Sequence, residues 1–117
     1  MAPVGASILV VEDDPALRLV CRVNLELESF RVRGAEDLDE ARAAVAAERP
    51  DVVFLDLHLG AGASDELLEE LRDDGIPVVL VSGTVDVMEY EGRASEVMPK
   101  PFDPADLVAA AHRHAAS

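Results

Sequence analysis

The chain has 117 residues, 50% hydrophobic and 29% charged, a composition typical of one globular domain. Its formal net charge of −14 argues against binding of nucleic acid or an anionic membrane by this domain itself. One cysteine excludes an internal disulfide, and no signal peptide or run of about 20 apolar residues is recognisable. We therefore expect a cytoplasmic domain over residues 7–117, after a flexible N-terminal arm of residues 1–6.

Short apolar runs alternate with longer segments of helical spacing. The predicted strands are Ser7 to Val11, Phe30 to Ala35, Val52 to Leu55, Pro77 to Val81 and Glu96 to Met98. The predicted helices start at Pro15, Leu38, Ser64 and the Asp103-Pro104 pair. Ser64 is the expected N-cap of the third helix. Residues 85–93 have room only for a short or irregular fourth helix between the last two strands.

This alternation predicts an α/β fold of the (βα)5 type, a doubly wound five-stranded parallel sheet with helices on both faces. Right-handed crossovers are expected to join its strands. In open sheets of this kind the functional site lies outside the carboxyl ends of the strands. Residues directly after each predicted strand are therefore the candidates for chemistry.

Polar residues follow four of the five predicted strands. They are Glu12, Asp13 and Asp14 after the first, Asp56 after the third, Ser82, Gly83 and Thr84 after the fourth, and Lys100 after the fifth. Taken singly, an acidic run before a helix is usual N-capping, and a lysine between prolines is usual in a turn. Their joint occurrence at one rim of the sheet favours a functional site.

The residue types at this rim suit phosphoryl transfer to a carboxylate. Clustered carboxylates repel one another, and an oxygen-only ligand set is typical of a hard cation, Mg²⁺ or Mn²⁺. The only lysine of the chain, Lys100, offers a point charge to a phosphoryl oxygen, and Ser82 offers a hydroxyl. The pattern predicts that Asp56 is the nucleophile.

Four segments of the sequence resemble the signature segments of response regulator receiver domains, including the chemotaxis regulators. They read ILVVEDDPALR, PDVVFLDLHL, GIPVVLVSG and MPKPF, and together they cover nearly the whole chain. The resemblance implies the flavodoxin-like strand order 2-1-3-4-5. It also implies that the domain is not an enzyme in the usual sense, since it catalyses only its own phosphorylation and dephosphorylation.

The resemblance assigns roles to the rim residues. Asp56 is implied as the phosphoacceptor and a Mg²⁺ ligand, Asp13 as a direct ligand, Glu12 as a ligand through water, and His58 as a ligand through its backbone carbonyl. Ser82 and Lys100 are implied as contacts to the phosphoryl group. The His58 side chain, Gly83 and Thr84 are expected to modulate the site. The implied partners are a histidine kinase or phosphotransfer protein as donor, and a downstream protein or output domain.

Three departures from the family pattern affect the expected response to phosphorylation. Gly60 stands where the loop after the acceptor usually has proline, and Val97 stands where a switch aromatic is usual. Only 17 residues separate Ser82 from Lys100, and this spacing is similar to that of stand-alone receivers. The alternative hypotheses are a non-phosphorylated pseudo-receiver that binds partners and, more remotely, a phosphohydrolase, for which His58 replaces the second aspartate that the usual motif requires.

Overall fold

The computed structural model describes residues 5–59, 63–83, 90 and 92–115 of the chain. Within these ranges five strands and four helices follow one another along the chain. They are β1 (Ser7–Val11), α1 (Pro15–Glu26), β2 (Arg31–Ala35), α2 (Leu38–Ala47), β3 (Val52–Asp56), α3 (Ala63–Asp73), β4 (Val78–Ser82), β5 (Glu96–Pro99) and α4 (Pro104–Ala115).

The strands form one parallel sheet in the order β2-β1-β3-β4-β5, which confirms the predicted doubly wound fold. Strands β1, β3 and β4 are buried over their whole length, as expected for strands covered on both faces. One apolar core lies beneath α1 and α4, and a second lies beneath α2 and α3. All carboxyl ends of the strands therefore meet at one rim.

Short polar side chains fix the starts of two helices, Asp14 at α1 and Asp37 at α2. The Asp14 carboxylate accepts a hydrogen bond from the backbone of Ala16 at 2.9 Å, and Pro15 occupies the first turn of α1. The prediction that Ser64 caps α3 is wrong, because α3 already begins at Ala63. The buried hydroxyl of Ser64 instead donates to the backbone carbonyl of Asp56 at 2.6 Å.

Two predicted features lie wholly or partly outside the described residues. Of the predicted arm, residues 1–4 are not described, while Gly5 donates from its backbone to Ser29 at 3.0 Å and Ala6 is buried. The predicted fourth helix falls mostly on residues 84–89 and 91, which are also not described. Within the described ranges, no helix is long and apolar enough to cross a membrane.

Candidate functional site

Three elements deliver charged side chains to the carboxyl rim of the sheet. Asp56 is the last residue of β3, and Glu12 follows β1 directly. Lys100 follows β5, and its ammonium lies 3.0 Å from Glu12 Oε1 and 3.4 Å from Asp56 Oδ1. Glu12 and Asp56 are 4% and 3% exposed, so this lysine joins two carboxylates that are almost removed from solvent.

Glu12, Asp13 and Asp56 form a cluster of three acids at this rim. One carboxylate oxygen from each lies within 4.8 Å of the others. Asp13 is exposed, whereas its two neighbours are buried. A set of oxygen donors that is open to solvent on one side matches a hard cation that retains water ligands, as Mg²⁺ does. The donor chemistry of these residues therefore fits Mg²⁺.

Within the acid cluster, Glu12 has a strongly raised pKa. Burial raises the pKa of Glu12 from 4.5 to about 7, and the neighbouring side chains of Asp56 and Asp13 add to the rise. Hydrogen bonds from the Asp14 backbone and from Lys100 act in the opposite direction without cancelling it. The contact with Lys100 therefore does not offset the cost of burying the charge of Glu12.

Lys100 keeps its charge in this setting. Burial alone would lower the pKa of its ammonium, but the hydrogen bond to Glu12 and the charge of Asp56 outweigh burial and raise the pKa above its usual value. The side chain is 26% exposed, so it lies between solvent and the buried carboxylates. Lys100 therefore presents a permanent positive charge beside Asp56.

Backbone groups hold Asp56 and Lys100 in place. The His58 amide donates to Asp56 Oδ1 at 3.1 Å, and the Lys100 amide donates to the Ser82 carbonyl at 2.7 Å. The peptide bond between Lys100 and Pro101 is cis. The Asp56 side chain is thus held by the backbone directly after β3, and Lys100 is held by the carbonyl that ends β4.

The rim brings together most of the residues that the sequence singled out. Glu12, Asp13 and Asp56 lie together, and Lys100 contacts Glu12 and Asp56. The carbonyl of the buried Ser82, at the end of β4, accepts a hydrogen bond from the Lys100 amide. A Cβ added to the exposed Gly83 would lie 3.8 Å from the Cβ of Lys100. The His58 residue is exposed, and Thr84 lies outside the described residues. The catalytic, ligand and modulating roles of these residues remain predictions.

Sequence reasoning missed two residues that support the site. Ser64 was taken for a helix cap, but its hydroxyl reaches the carbonyl of Asp56 itself. Arg18 lies on α1, and its guanidinium Nη1 donates to the carbonyl of Glu12 at 2.7 Å. In the sequence, Arg18 shows only that a polar residue lies one helical turn after the acidic run. That spacing does not indicate which group Arg18 contacts.

Comparison with known proteins identifies relatives of the whole domain. The family model described as response regulator receiver domain matches residues 8–112. The DNA-binding response regulator MtrA of Mycolicibacterium smegmatis is 37% identical over 107 residues, which cover 87% of this chain and 47% of the relative. The phosphate regulon transcriptional regulatory protein PhoB of Pseudomonas aeruginosa is 32% identical, with 91% and 50% covered. The chain thus spans about half the length of these curated relatives.

Solved structures match the fold over nearly its full length. The receiver domain of NtrX from Brucella abortus aligns with a TM-score of 0.82 and 31% identity, covering 92% of this chain and 97% of that domain. The BeF3-activated N-terminal receiver domain of RstA from Klebsiella pneumoniae aligns with a TM-score of 0.84 and 28% identity, covering 95% and 99%. With the family match over residues 8–112, this chain belongs to the response regulator receiver domains of two-component signal transduction.

Proposed function

We propose that this domain accepts a phosphoryl group on the Asp56 carboxylate in a Mg²⁺-dependent reaction, and that the phosphorylated form changes its interaction with a partner protein or an output domain. The observation that carries the proposal is the contact of Lys100 with both Glu12 and Asp56 at the rim. Asp56, the proposed nucleophile, thus lies in one cluster with a candidate cation site and a positive charge. Phosphoryl transfer relies on positioning and on positive charge of this kind.

In the proposed reaction an oxygen of Asp56 attacks the phosphorus atom of the donor. The new P–O bond forms as the bond from phosphorus to the leaving group breaks, and the leaving group departs with that electron pair. Glu12, Asp13 and Asp56 would hold Mg²⁺, together with the backbone carbonyl of His58 that the family resemblance implies. When bound, the cation neutralises charge that develops on the phosphoryl oxygens.

Lys100 and Ser82 are proposed to hold the transferred group. Phosphorylation of Asp56 replaces the carboxylate charge by that of a phosphoryl group, whose oxygens are more negative and accept strong hydrogen bonds. The Lys100 ammonium already lies 3.4 Å from Asp56, so it is placed to contact such an oxygen. Ser82 is buried and ends β4, the strand next to β3, so its hydroxyl is a candidate donor to the same group.

The donor is proposed to be a histidine kinase or a phosphotransfer protein, with α1 as its docking surface. Among the described residues, the large hydrophobic side chains that are strongly exposed all lie on α1 or directly after it: Leu19, Val20, Val23 and Leu27. Val20 also lines a mainly apolar groove of about 340 Å³ together with Lys100 and Phe102. The groove thus links the exposed apolar residues of α1 to Lys100 at the site, and exposed apolar patches are typical of protein interaction surfaces.

The donor surface is testable separately from the chemistry. We expect Val23→Glu to reduce transfer from a phosphorylated histidine-kinase core that labels the parent, because a charge would interrupt the exposed apolar stripe. Labelling by acetyl phosphate should be unchanged, since Val23 lies outside the acid cluster. Equal loss with both donors would show that the substitution damages the site rather than docking.

Incubation with Mg²⁺ and acetyl phosphate, followed by intact-mass measurement, tests the acceptor. The proposal expects one phosphoryl adduct in the parent protein, no adduct in Asp56→Asn, and no adduct in the parent when EDTA is present. Absence of an adduct in a parent protein that binds Mg²⁺ would leave the alternative that the domain is a pseudo-receiver and binds its partners without phosphorylation.

A further inference from the structure

Arg18 makes a contact that the reaction described above does not use. It lies at the end of the first turn of α1, and its Nη1 donates to the backbone carbonyl of Glu12 at 2.7 Å. That carbonyl belongs to the turn between the end of β1 and the start of α1. Because the donor is charged, the hydrogen bond is stronger than one between neutral groups.

This contact is the second one that fixes the backbone of the acidic turn, residues 12–14, to a neighbouring element. The Glu12 amide already donates to the carbonyl of Ala35 on β2 at 2.9 Å. Arg18 holds the carbonyl of the same residue, so both backbone groups of Glu12 have partners on neighbouring elements. The Glu12 carbonyl and the Asp13 amide share one rigid peptide plane, and the position of that plane sets where the Asp13 side chain starts.

Asp13 depends on this attachment more than the other two acids do. Glu12 and Asp56 are buried, and both contact Lys100. Asp13 is exposed and lies at the open side of the cluster. Its carboxylate reaches the other two only if the backbone of the turn is held in place, because burial does not restrict its side chain.

A glycine on β2 leaves room for the side chain of Arg18 to lie against the strand. Gly34 on β2 pairs with Val10 on β1, close to the acidic turn. A Cβ at Gly34 would lie 3.0 Å from Cδ and 3.3 Å from Cγ of Arg18, so the arginine stem crosses the strand where a side chain is missing. The stem packs on the backbone of β2 and directs the guanidinium towards Glu12.

We infer that Arg18 is a positioning residue for the cation site: its hydrogen bond to the Glu12 carbonyl holds the acidic turn so that Asp13 joins Glu12 and Asp56 as a ligand. The inference rests on the proposed function, since it assumes that these three carboxylates bind Mg²⁺. Removal of supporting residues behind metal ligands lowers metal affinity by about 10- to 100-fold in characterised sites. Arg18 holds one ligand of three through the backbone, which places its effect at the lower end of that range.

The test measures Mg²⁺ affinity of the full chain by calorimetric titration, and thermal unfolding in EDTA. We expect Arg18→Ala to raise the Mg²⁺ dissociation constant roughly tenfold and Arg18→Lys to recover part of the loss, since lysine keeps one charged donor. The matched control is Arg22→Ala, one turn further along α1, where the arginine pairs with Glu26 at 3.4 Å on the surface. This control should stay within about twofold of the parent.

Gly34→Val tests the same contact without removing Arg18, again by its effect on Mg²⁺ affinity. Its methyl groups would occupy the space of the Arg18 stem, so it should weaken Mg²⁺ binding in the parent and add nothing in the Arg18→Ala background. It also serves if Arg18→Ala does not fold. An additional loss in the Arg18→Ala background would contradict the inferred route.

The outcomes separate this inference from the proposed function. A parent protein without Mg²⁺ affinity would overturn both. A parent that binds Mg²⁺ with Arg18→Ala binding equally well would overturn the positioning role alone, even if the variant unfolds at a lower temperature. A loss of equal size in Arg22→Ala would also overturn it, because the effect would then follow from the charge of α1 rather than from the contact with Glu12.

Discussion

Neutralising Glu12 is expected to stabilise the metal-free protein. Glu12 lies among acids at the rim, and its pKa in the folded protein rises from 4.5 to about 7, with burial as the largest cause. A raised pKa means that the folded state binds the proton more tightly than the unfolded state does. The ionised carboxylate therefore opposes folding at neutral pH, and Glu12→Gln, which mimics the protonated form, removes that opposition.

The size and pH window of the effect follow from the same pKa. The stability contributed by the bound proton is fully present below about pH 4.5 and is lost as the pH rises towards about 7. At about 1.4 kcal/mol per pKa unit, the ionised group costs up to about 3 kcal/mol at pH 8. The pKa of about 7 already includes the contact with Lys100. Glutamine does not reproduce every hydrogen bond of the protonated carboxyl group, so we expect a gain of about 1 to 3 kcal/mol.

Urea unfolding of the parent and of Glu12→Gln in EDTA, at pH 4.5 and pH 8, measures this difference. The variant should be more stable at pH 8 and nearly equal to the parent at pH 4.5. Glu36→Gln is the matched control, because Glu36 belongs to a second group of three acids that is fully exposed. Its free energy of unfolding should stay within about 0.5 kcal/mol of the parent at both pH values.

Addition of Mg²⁺ should reduce the stability difference between Glu12→Gln and the parent protein. A cation that binds only the folded state stabilises it by about 2.7 kcal/mol at a concentration one hundredfold above its dissociation constant. The parent should gain more than Glu12→Gln, which lacks one ligand, so the difference at pH 8 should shrink. A variant that is less stable than the parent at pH 8 in EDTA, or a difference independent of pH, would refute the electrostatic reasoning.

Three further substitutions probe the proposed roles. Lys100→Ala should leave Mg²⁺ affinity largely intact but slow labelling of Asp56 by acetyl phosphate; abolished Mg²⁺ affinity would contradict its assignment as a phosphoryl contact. Asp13→Ala should weaken Mg²⁺ binding directly, and an unchanged calorimetric titration would count against its role as a ligand. Ser64→Ala should lower the free energy of unfolding by about 1 to 3 kcal/mol, because it removes a buried donor to the Asp56 carbonyl. Unfolding at the parent's urea midpoint would show that another donor replaces it.

Periodicity predicted the fold because each strand and helix carries its own apolar signal. The continuous run at Ser7 to Val11 gave β1 with its observed bounds, and the Asp14-Pro15 pair gave the start of α1. Other predicted bounds differ from the structure by a residue or so, as at β3, which extends to Asp56. The parallel sheet then followed from connectivity, since alternating elements leave few other arrangements.

The rim was predictable for the same reason, but its supporting contacts were not. The acidic residues and Lys100 stand at strand ends, and a parallel sheet brings those ends together. Ser64 and Arg18 act on backbone carbonyls, which every residue carries, so no residue type in the sequence indicates their partners. Only the three-dimensional structure shows which carbonyl lies within 3 Å of each donor.

The acids at the rim lower the stability of the metal-free domain, which indicates that they serve a function. A buried acid whose pKa is raised to about 7 beside two further carboxylates opposes folding at neutral pH, and replacing it would relieve that cost. The protein nevertheless holds the cluster in place with Lys100 and with a hydrogen bond from Arg18 to the turn that carries two of the acids. Local destabilisation that the rest of the structure maintains is typical of sites shaped for a ligand. A bound divalent cation would supply positive charge at this cluster, so the same residues that weaken the metal-free domain would become the source of the proposed affinity for Mg²⁺.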